Sequence, residues 1–442
     1  MSSLALLKRF IPTSLSSSSI YPISISYISA RNSASASLAE DEATVVCPIP
    51  RESPGFSDGL HWALAGKGVI VKDKVFRNLH SSELQQHGAI ISESLSGLPV
   101  RVRGHVFGEA SEISRAQYSK LLKQVTNHIS SISKIFVHDG AIGLSPKYDA
   151  KVRIISDSPS AVLSLSNILW KTPSRAVSHD SCPLTLYVAT SISPDVEESI
   201  SLGSQGSNGF IVADFESSSL VLCGKAFADA NGTKETLSAL SAPIISARGG
   251  LPLSARLSVL VDSVVLIFAP EDTVRSCADL LLSADAGVIL SSDGVATLFP
   301  NGSPGDSNLF KLPAAVIITS SDSSGVIPLV SKLSPAQAAY HFLAGYQKGK
   351  FMPAYSKGPS SFDALELAKA FLSKLKENEI SSFLVNVSGA EKRLTGKDFI
   401  KLVESALSED IPPFQAKGSD LQKKYKNFLS GKFQELPEEF SF

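Results

Sequence analysis

Residues 314–346 spell a strand, a tight loop and a capped helix, and that order limits the fold more than any other stretch of the chain. Residues 314–318 are an unbroken apolar run and read as a buried strand. Gly325 and Pro328 then bend the chain. Ser334 precedes Pro335, an N-cap followed by a residue whose fixed φ suits the first helical position. Ala338, Ala339, Phe342 and Leu343 recur at helical spacing on one face. This is the topology of a nucleotide-domain edge in an α/β protein.

The same alternation runs along the rest of the chain. Residues 88–106 read as strand, turn and strand around Gly97 and Pro99. Residues 114–132 read as an amphipathic helix with Leu121, Leu122, Val125 and Ile129 on one face, and His128 there reads as a core-edge histidine. Strands are predicted at 135–137 and 152–155 about a turn at Gly143 and Pro146, and a helix at 160–170. Further strands fall at 184–189, 210–213, 219–223, 259–268, 287–290 and 383–387, and a Ser/Gly-rich loop at 199–208. Helices fall at 271–282, 362–375 and 397–407. Strands alternating with helices predict an α/β protein with mixed sheets.

Charge and cysteine content narrow the partners. Forty-one basic residues against 42 acidic ones leave a formal charge of -1, which argues against a nucleic-acid surface. Cys47, Cys182, Cys223 and Cys277 are widely separated, with no C-x-x-C pair, so neither a zinc site nor a disulfide framework is expected. No run of about 18 apolar residues predicts a membrane span. Residues 1–39 are serine-rich, with Lys8, Arg9 and Arg31 as their only charges, and acidic residues begin abruptly at Glu40. That composition predicts an organelle transit peptide, with mitochondria and a matrix location favoured over a plastid, and cleavage between Arg31 and Ala39. Residues 40–74, with Pro48, Pro50 and Pro54, read as a loop-rich lead-in.

Three strings carry a family resemblance. The segment SDSSGVIPLVSKLSPAQAAYHFLAGY, residues 321–346, resembles D-A-F-G-V-L-P-P-V-S-K-L-x-x-x-Q-x-x-Y-H-F-L-S-G-Y of ATP-dependent phosphoenolpyruvate carboxykinase. VFRNL at 75–79 is similar to the family's V-x-R-N-L. KIFVHDGAIGLSPKYDAKVRII at 134–155 keeps Asp139, Pro146, Lys147 and Lys151 to Ile154 of a third family string. The resemblance implies a two-lobed fold of mixed sheets, with an N-terminal lobe at 75–258 and a P-loop-type mononucleotide-binding C-terminal lobe at 259–442.

The residues that the resemblance would assign to chemistry are largely changed. A P-loop closes glycine backbone N–H groups around phosphates and adds a Lys and a Ser or Thr. At the position of the family's G-L-S-G-T-G-K-T-T this chain reads Ala269-Pro270-Glu271-Asp272-Thr273-Val274-Arg275-Ser276-Cys277. Residual nucleotide contacts would therefore fall to Thr273, Arg275 and Ser276, and to Arg393, which matches the family's adenine-contacting G-K-R-I turn. Asn231 to Glu235 contains G-T-K, but it follows a strand resembling a different family segment, which places Lys234 at one of the metal-site lysines. Arg256 stands at the metal-site histidine, Asp322 keeps the first residue of D-A-F-G, and the metal aspartate has only Asp293 nearby. The carboxylate-binding G-R-S-P loop is not found; Arg101 and Arg103 lie near its place and alternate with valines as a strand would. No metal site is expected, and ATP with Mg²⁺ or Mn²⁺ only if the family's function persists. The expectation is a catalytically degenerate relative that acts as a structural or regulatory partner in a mitochondrial assembly. The alternatives are a working carboxykinase, converting oxaloacetate and ATP to phosphoenolpyruvate, CO₂ and ADP, and a module that binds nucleotide or dicarboxylate without turnover.

Overall fold

Strands pair across long stretches of sequence in the computed structural model, which describes residues 45–46 and 59–442 apart from 109, 173–182, 193–207, 261–262, 278–286, 301–308, 357, 389–394, 409 and 416–419. Residues from Ala43 onward belong to one compact unit. Among the described residues a ten-stranded sheet carries the N-terminal half. Its order is Val45–Val46, Lys74–Arg77, Lys134–Ile142, Ala150–Ser156, Leu184–Ala189, Ser219–Gly224, Gly209–Asp214, Val100–Arg103 and Ser111–Glu112, with Trp170–Lys171 beside Lys134–Ile142. Parallel and antiparallel pairs mix: Ala150–Ser156 runs antiparallel to Lys134–Ile142 and parallel to Leu184–Ala189.

Both faces of this sheet are buried. Ile154, Leu186 and Leu222 point to one side, Ile155, Tyr187 and Val221 to the other, as a period of two requires. Helix Arg115–Ser131 covers the second side with Leu121, Val125 and Ile129. Helices Pro159–Ser166 and Ala230–Ala247 cover the first with Ala161, Leu165, Leu237 and Ile245. One buried ion cluster pins the sheet: Asp139 receives Arg77 at 2.6 Å and Arg153 at 2.7 Å.

A five-stranded sheet carries the C-terminal half, in the order Arg256–Leu260, Ser263–Phe268, Ala315–Ser320, Ser381–Asn386 and Val330–Leu333. Phe268, Ile318 and Leu384 pack on helices Pro335–Ala344 and Ala364–Glu377, while Ile267, Ile317 and Val385 pack on Gly396–Ser408. The capped helix forms as its sequence dictates. Ser334 Oγ accepts the Gln337 N–H at 3.2 Å, and Gln337 Oε1 accepts the Ser334 N–H at 3.1 Å, a reciprocal capping box. Gly345 ends the helix in the left-handed region, and a Cβ there would lie 1.8 Å from the Met352 carbonyl oxygen.

Several elements differ from the pattern-based expectation. The stretch 259–268 is two antiparallel strands rather than one, with Val259 opposite Val264. The helix expected over 160–170 ends at Ser166, and Trp170–Lys171 joins the sheet. Of residues 88–106 only Val100–Arg103 is a strand. The part before it spends its backbone donors elsewhere, Ile90 on Ser160 Oγ and Leu95 on the Ala228 carbonyl. The helix expected over 271–282 is described as Glu271–Ser276, and the Ser/Gly-rich loop falls outside the described residues. No helix among the described residues is long and apolar enough to cross a membrane.

Candidate functional site

Strand Ser263–Phe268 is an interior strand, apolar from Val264 to Phe268 and parallel to Ala315–Ser320, and its C-terminal end opens onto a cleft. Ligands of open α/β sheets bind beyond such ends. The cleft encloses about 580 Å³ and is lined by Ala269 and Glu271 from this corner, Arg256 from the neighbouring strand and Glu235 from helix Ala230–Ala247. Phe107 and Gly108 form part of its wall, as does the chain from Phe351 to Leu367, with Lys432 at the rim.

The corner itself is a helical turn. Pro270 takes the N-cap position in an extended conformation, and the Val274 N–H donates to its carbonyl at 3.0 Å. Val274 is buried in the apolar cluster with Val265, Ile267 and Phe399. Arg275 is 78% exposed and lies 3.2 Å from Glu271 on its own helix. Thr273 N–H donates to Asp272 Oδ1 at 3.0 Å, and Ser276 Oγ donates to the Thr273 carbonyl at 2.7 Å. The Asp272 carboxylate receives the ammonium of Lys348, which stands at the tip of the hairpin Tyr346–Gln347 and Lys350–Phe351. Carboxylates in a first helical turn complement the helix dipole, and they repel a polyphosphate. The two carboxylates of the corner are thus paired within the chain, Glu271 with Arg275 and Asp272 with Lys348.

The remaining candidates scatter. Lys234 is buried with its ammonium 5.9 Å from the Phe299 ring, while its neighbour Glu235 reaches the cleft. Asp293 accepts from Lys147 at 2.9 Å and Tyr148 at 3.0 Å, and these bonds hold its carboxyl below the ordinary range. Asp322 is 3% exposed and serves its own loop. It accepts the N–H groups of Ser324, Val326 and Ile327 at 2.8, 3.0 and 2.9 Å and the Ser324 hydroxyl at 2.6 Å. Burial opposes its ionisation, yet those donors outweigh burial and keep the carboxyl below its usual range. Arg103 is paired with Asp214 at 2.7 Å and with Glu216. Arg393 lies outside the described residues. Of the sequence candidates, Arg256 alone is placed in the cleft lining. Among the described residues no group of three His, Cys, Asp or Glu side chains could hold a metal ion.

Sequence reasoning missed the cleft's second wall. Ala354 and Tyr355 there sit at φ 54° and 55°, a conformation that neither residue type signals. The hairpin tip was not read from the sequence either: Lys348-Gly349 takes positive φ at both positions, 48° and 84°, the two-residue turn that glycine favours, and that glycine was the available signal.

Fold and site together define a mixed-sheet α/β protein with a cleft beside the end of strand Ser263–Phe268. The family model for phosphoenolpyruvate carboxykinase matches residues 105–268 and 303–412, and the chain belongs to that family. It is similar to phosphoenolpyruvate carboxykinase (ATP) of Bacillus mycoides (strain KBAB4) and of Bacillus cereus (strain AH187). Each is 27% identical over 128 residues, covering 25% of this chain and 24% of the relative. The matched part thus spans about a quarter of the length of these curated relatives.

Proposed function

We propose that this chain is a phosphoenolpyruvate carboxykinase (ATP)-like protein without catalysis, serving as a structural or regulatory component of a protein assembly in the mitochondrial matrix. Its N-terminal lobe spans residues 75–258 and its C-terminal lobe 259–442. The observation that carries the reading is the helical turn after Ser263–Phe268, where Val274 belongs to the core, Arg275 faces Glu271 and Asp272 faces Lys348. Arg256 adds a guanidinium where the resemblance expects an imidazole metal ligand. Losing one transition-state donor costs about 10²–10³ in rate, and several losses in one site deepen that without adding cleanly. Mitochondrial location rests on the acid-free, serine-rich composition of residues 1–39.

Purified full-length protein with oxaloacetate, ATP, Mg²⁺ and Mn²⁺ should form no phosphoenolpyruvate above background. Chelator-sensitive product formation would restore the working carboxykinase. The cleft of about 580 Å³ with Arg256 in its lining favours a second reading, a module that binds without turnover. A rise in melting temperature with ATP or with oxaloacetate would support it.

A further inference from the structure

Two loop segments, one following the ten-stranded sheet and one leading into a helix of the five-stranded sheet, meet on the wall of the cleft. Phe107 follows strand Val100–Arg103 of the ten-stranded sheet, and Ser360 precedes helix Ala364–Glu377, which packs on the five-stranded one. The Phe107 N–H donates to the Ser360 carbonyl at 2.8 Å, and the Ser360 N–H donates to the Phe107 carbonyl at 2.9 Å. This is one closed antiparallel pair, isolated from any sheet. Gly108 makes the approach possible, since at φ 103° a Cβ would stand 3.1 Å from the Gly358 carbonyl oxygen. Beside the pair, Ser361 Oγ donates to the Ala239 carbonyl on helix Ala230–Ala247.

We infer that residues 107–108 and 358–361 form a clasp that fixes the width of the cleft through bonds of the chain itself. The two halves of the molecule cannot separate along this wall without breaking both backbone bonds and the Ser361 contact together. The clasp is anchored on a rigid base. Tyr355 is 6% exposed, its hydroxyl donates to the Thr319 carbonyl, and Ala354 beside it is 2% exposed. Both stay in left-handed backbone only because this packing fixes them. A cleft whose width is fixed by the chain's own bonds differs from one whose walls move together around a ligand. This inference is independent of whether the chain turns over substrate.

Hydrogen exchange on the ligand-free, full-length protein reads the clasp directly. The amides of Phe107 and Ser360 should both exchange at least a hundredfold more slowly than unprotected amides. Gly108→Val should speed exchange at both positions tenfold or more, with the amides of strand Ser263–Phe268 unchanged. If that variant does not fold, Ser361→Ala should raise exchange at Phe107 and Ser360 by a smaller, common factor. Unprotected amides in the wild-type protein, or variants that move one amide without the other, would overturn the inference.

Discussion

His341 predicts a specific acid sensitivity. It is 1% exposed on helix Pro335–Ala344, and its ring centroid lies 5.4 Å from Phe414, 5.4 Å from Tyr425 and 5.2 Å from Phe442. Neither ring nitrogen has a hydrogen-bond partner among the described residues. Burial pushes the imidazole down to about 3. The folded protein thus holds a neutral ring, while the unfolded chain takes up a proton below the ordinary value near 6.5. The stability contribution is intact above that value and is lost as pH falls below it. At pH 5 the unfolded state gains a factor of roughly 30, about 2 kcal/mol, relative to neutral pH. This figure scarcely depends on the folded value once that lies well under 5. His138, pushed down to about 4 by burial, acts in the same direction. It is common to wild type and to His341→Phe, so it cancels in the comparison. Urea denaturation of both proteins, followed by circular dichroism at pH 7 and pH 5, isolates the effect. The wild type should lose about 2 kcal/mol more than the variant between the two pH values. Equal losses would refute the reasoning and show that the ring meets solvent within the folded state.

Other changes test other parts of the molecule. Asp139→Asn should cost about 3–5 kcal/mol in chemical denaturation, because it leaves the charges of Arg77 and Arg153 without their shared carboxylate. Asp322→Asn should cost about 1–3 kcal/mol through the donors of Ser324, Val326 and Ile327. Because its folded carboxyl is held low, the Asp322 contribution is present above the ordinary value of 3.8 and lost as pH falls through the folded one, so the variant should lack that acid limb. Ala354→Gly should stabilise by about 1 kcal/mol, read as a raised melting temperature, since glycine accepts φ 54° without strain. Arg275→Lys alone should leave calorimetric ATP binding unchanged, because the turn still carries Glu271 and Asp272.

Elements whose local chemistry agrees with their packing were legible in the sequence. The Ser334 cap, the apolar Ala315–Ser320 strand and the Leu121, Val125, Ile129 face each state their role within a few residues. Helix Ala230–Ala247 was not legible: its first turn reads Ala-Asn-Gly-Thr, weak helix formers, and it holds because Asp229 caps the Gly232 N–H at 2.9 Å and the sheet buries Leu237 and Ile245. The strand at Arg103 was legible from its alternation with valines, but its partners Asp214 and Glu216 were not, because they are distant in sequence. The corner at Ala269 was legible in residue type, since acidic residues after a proline write a helix start. Its pairing with Lys348 was not, because it depends on where a hairpin tip lands.

The strand order of the ten-stranded sheet has a kinetic consequence. Val100 pairs with Ile211, so strand Val100–Arg103, whose other neighbour is only the short Ser111–Glu112, joins the body of the sheet after the intervening strands and helix Arg115–Ser131 have been laid down. Closing so long a loop is entropically slow, and sheets rich in such pairings fold in roughly milliseconds to seconds. During synthesis this strand has only the two-residue neighbour Ser111–Glu112 until the chain beyond Gly209–Asp214 has emerged. A late-forming edge contributes little to the folding transition state. Val102→Ala, at a side chain 1% exposed, should therefore leave the refolding rate nearly unchanged and deliver its destabilisation as faster unfolding.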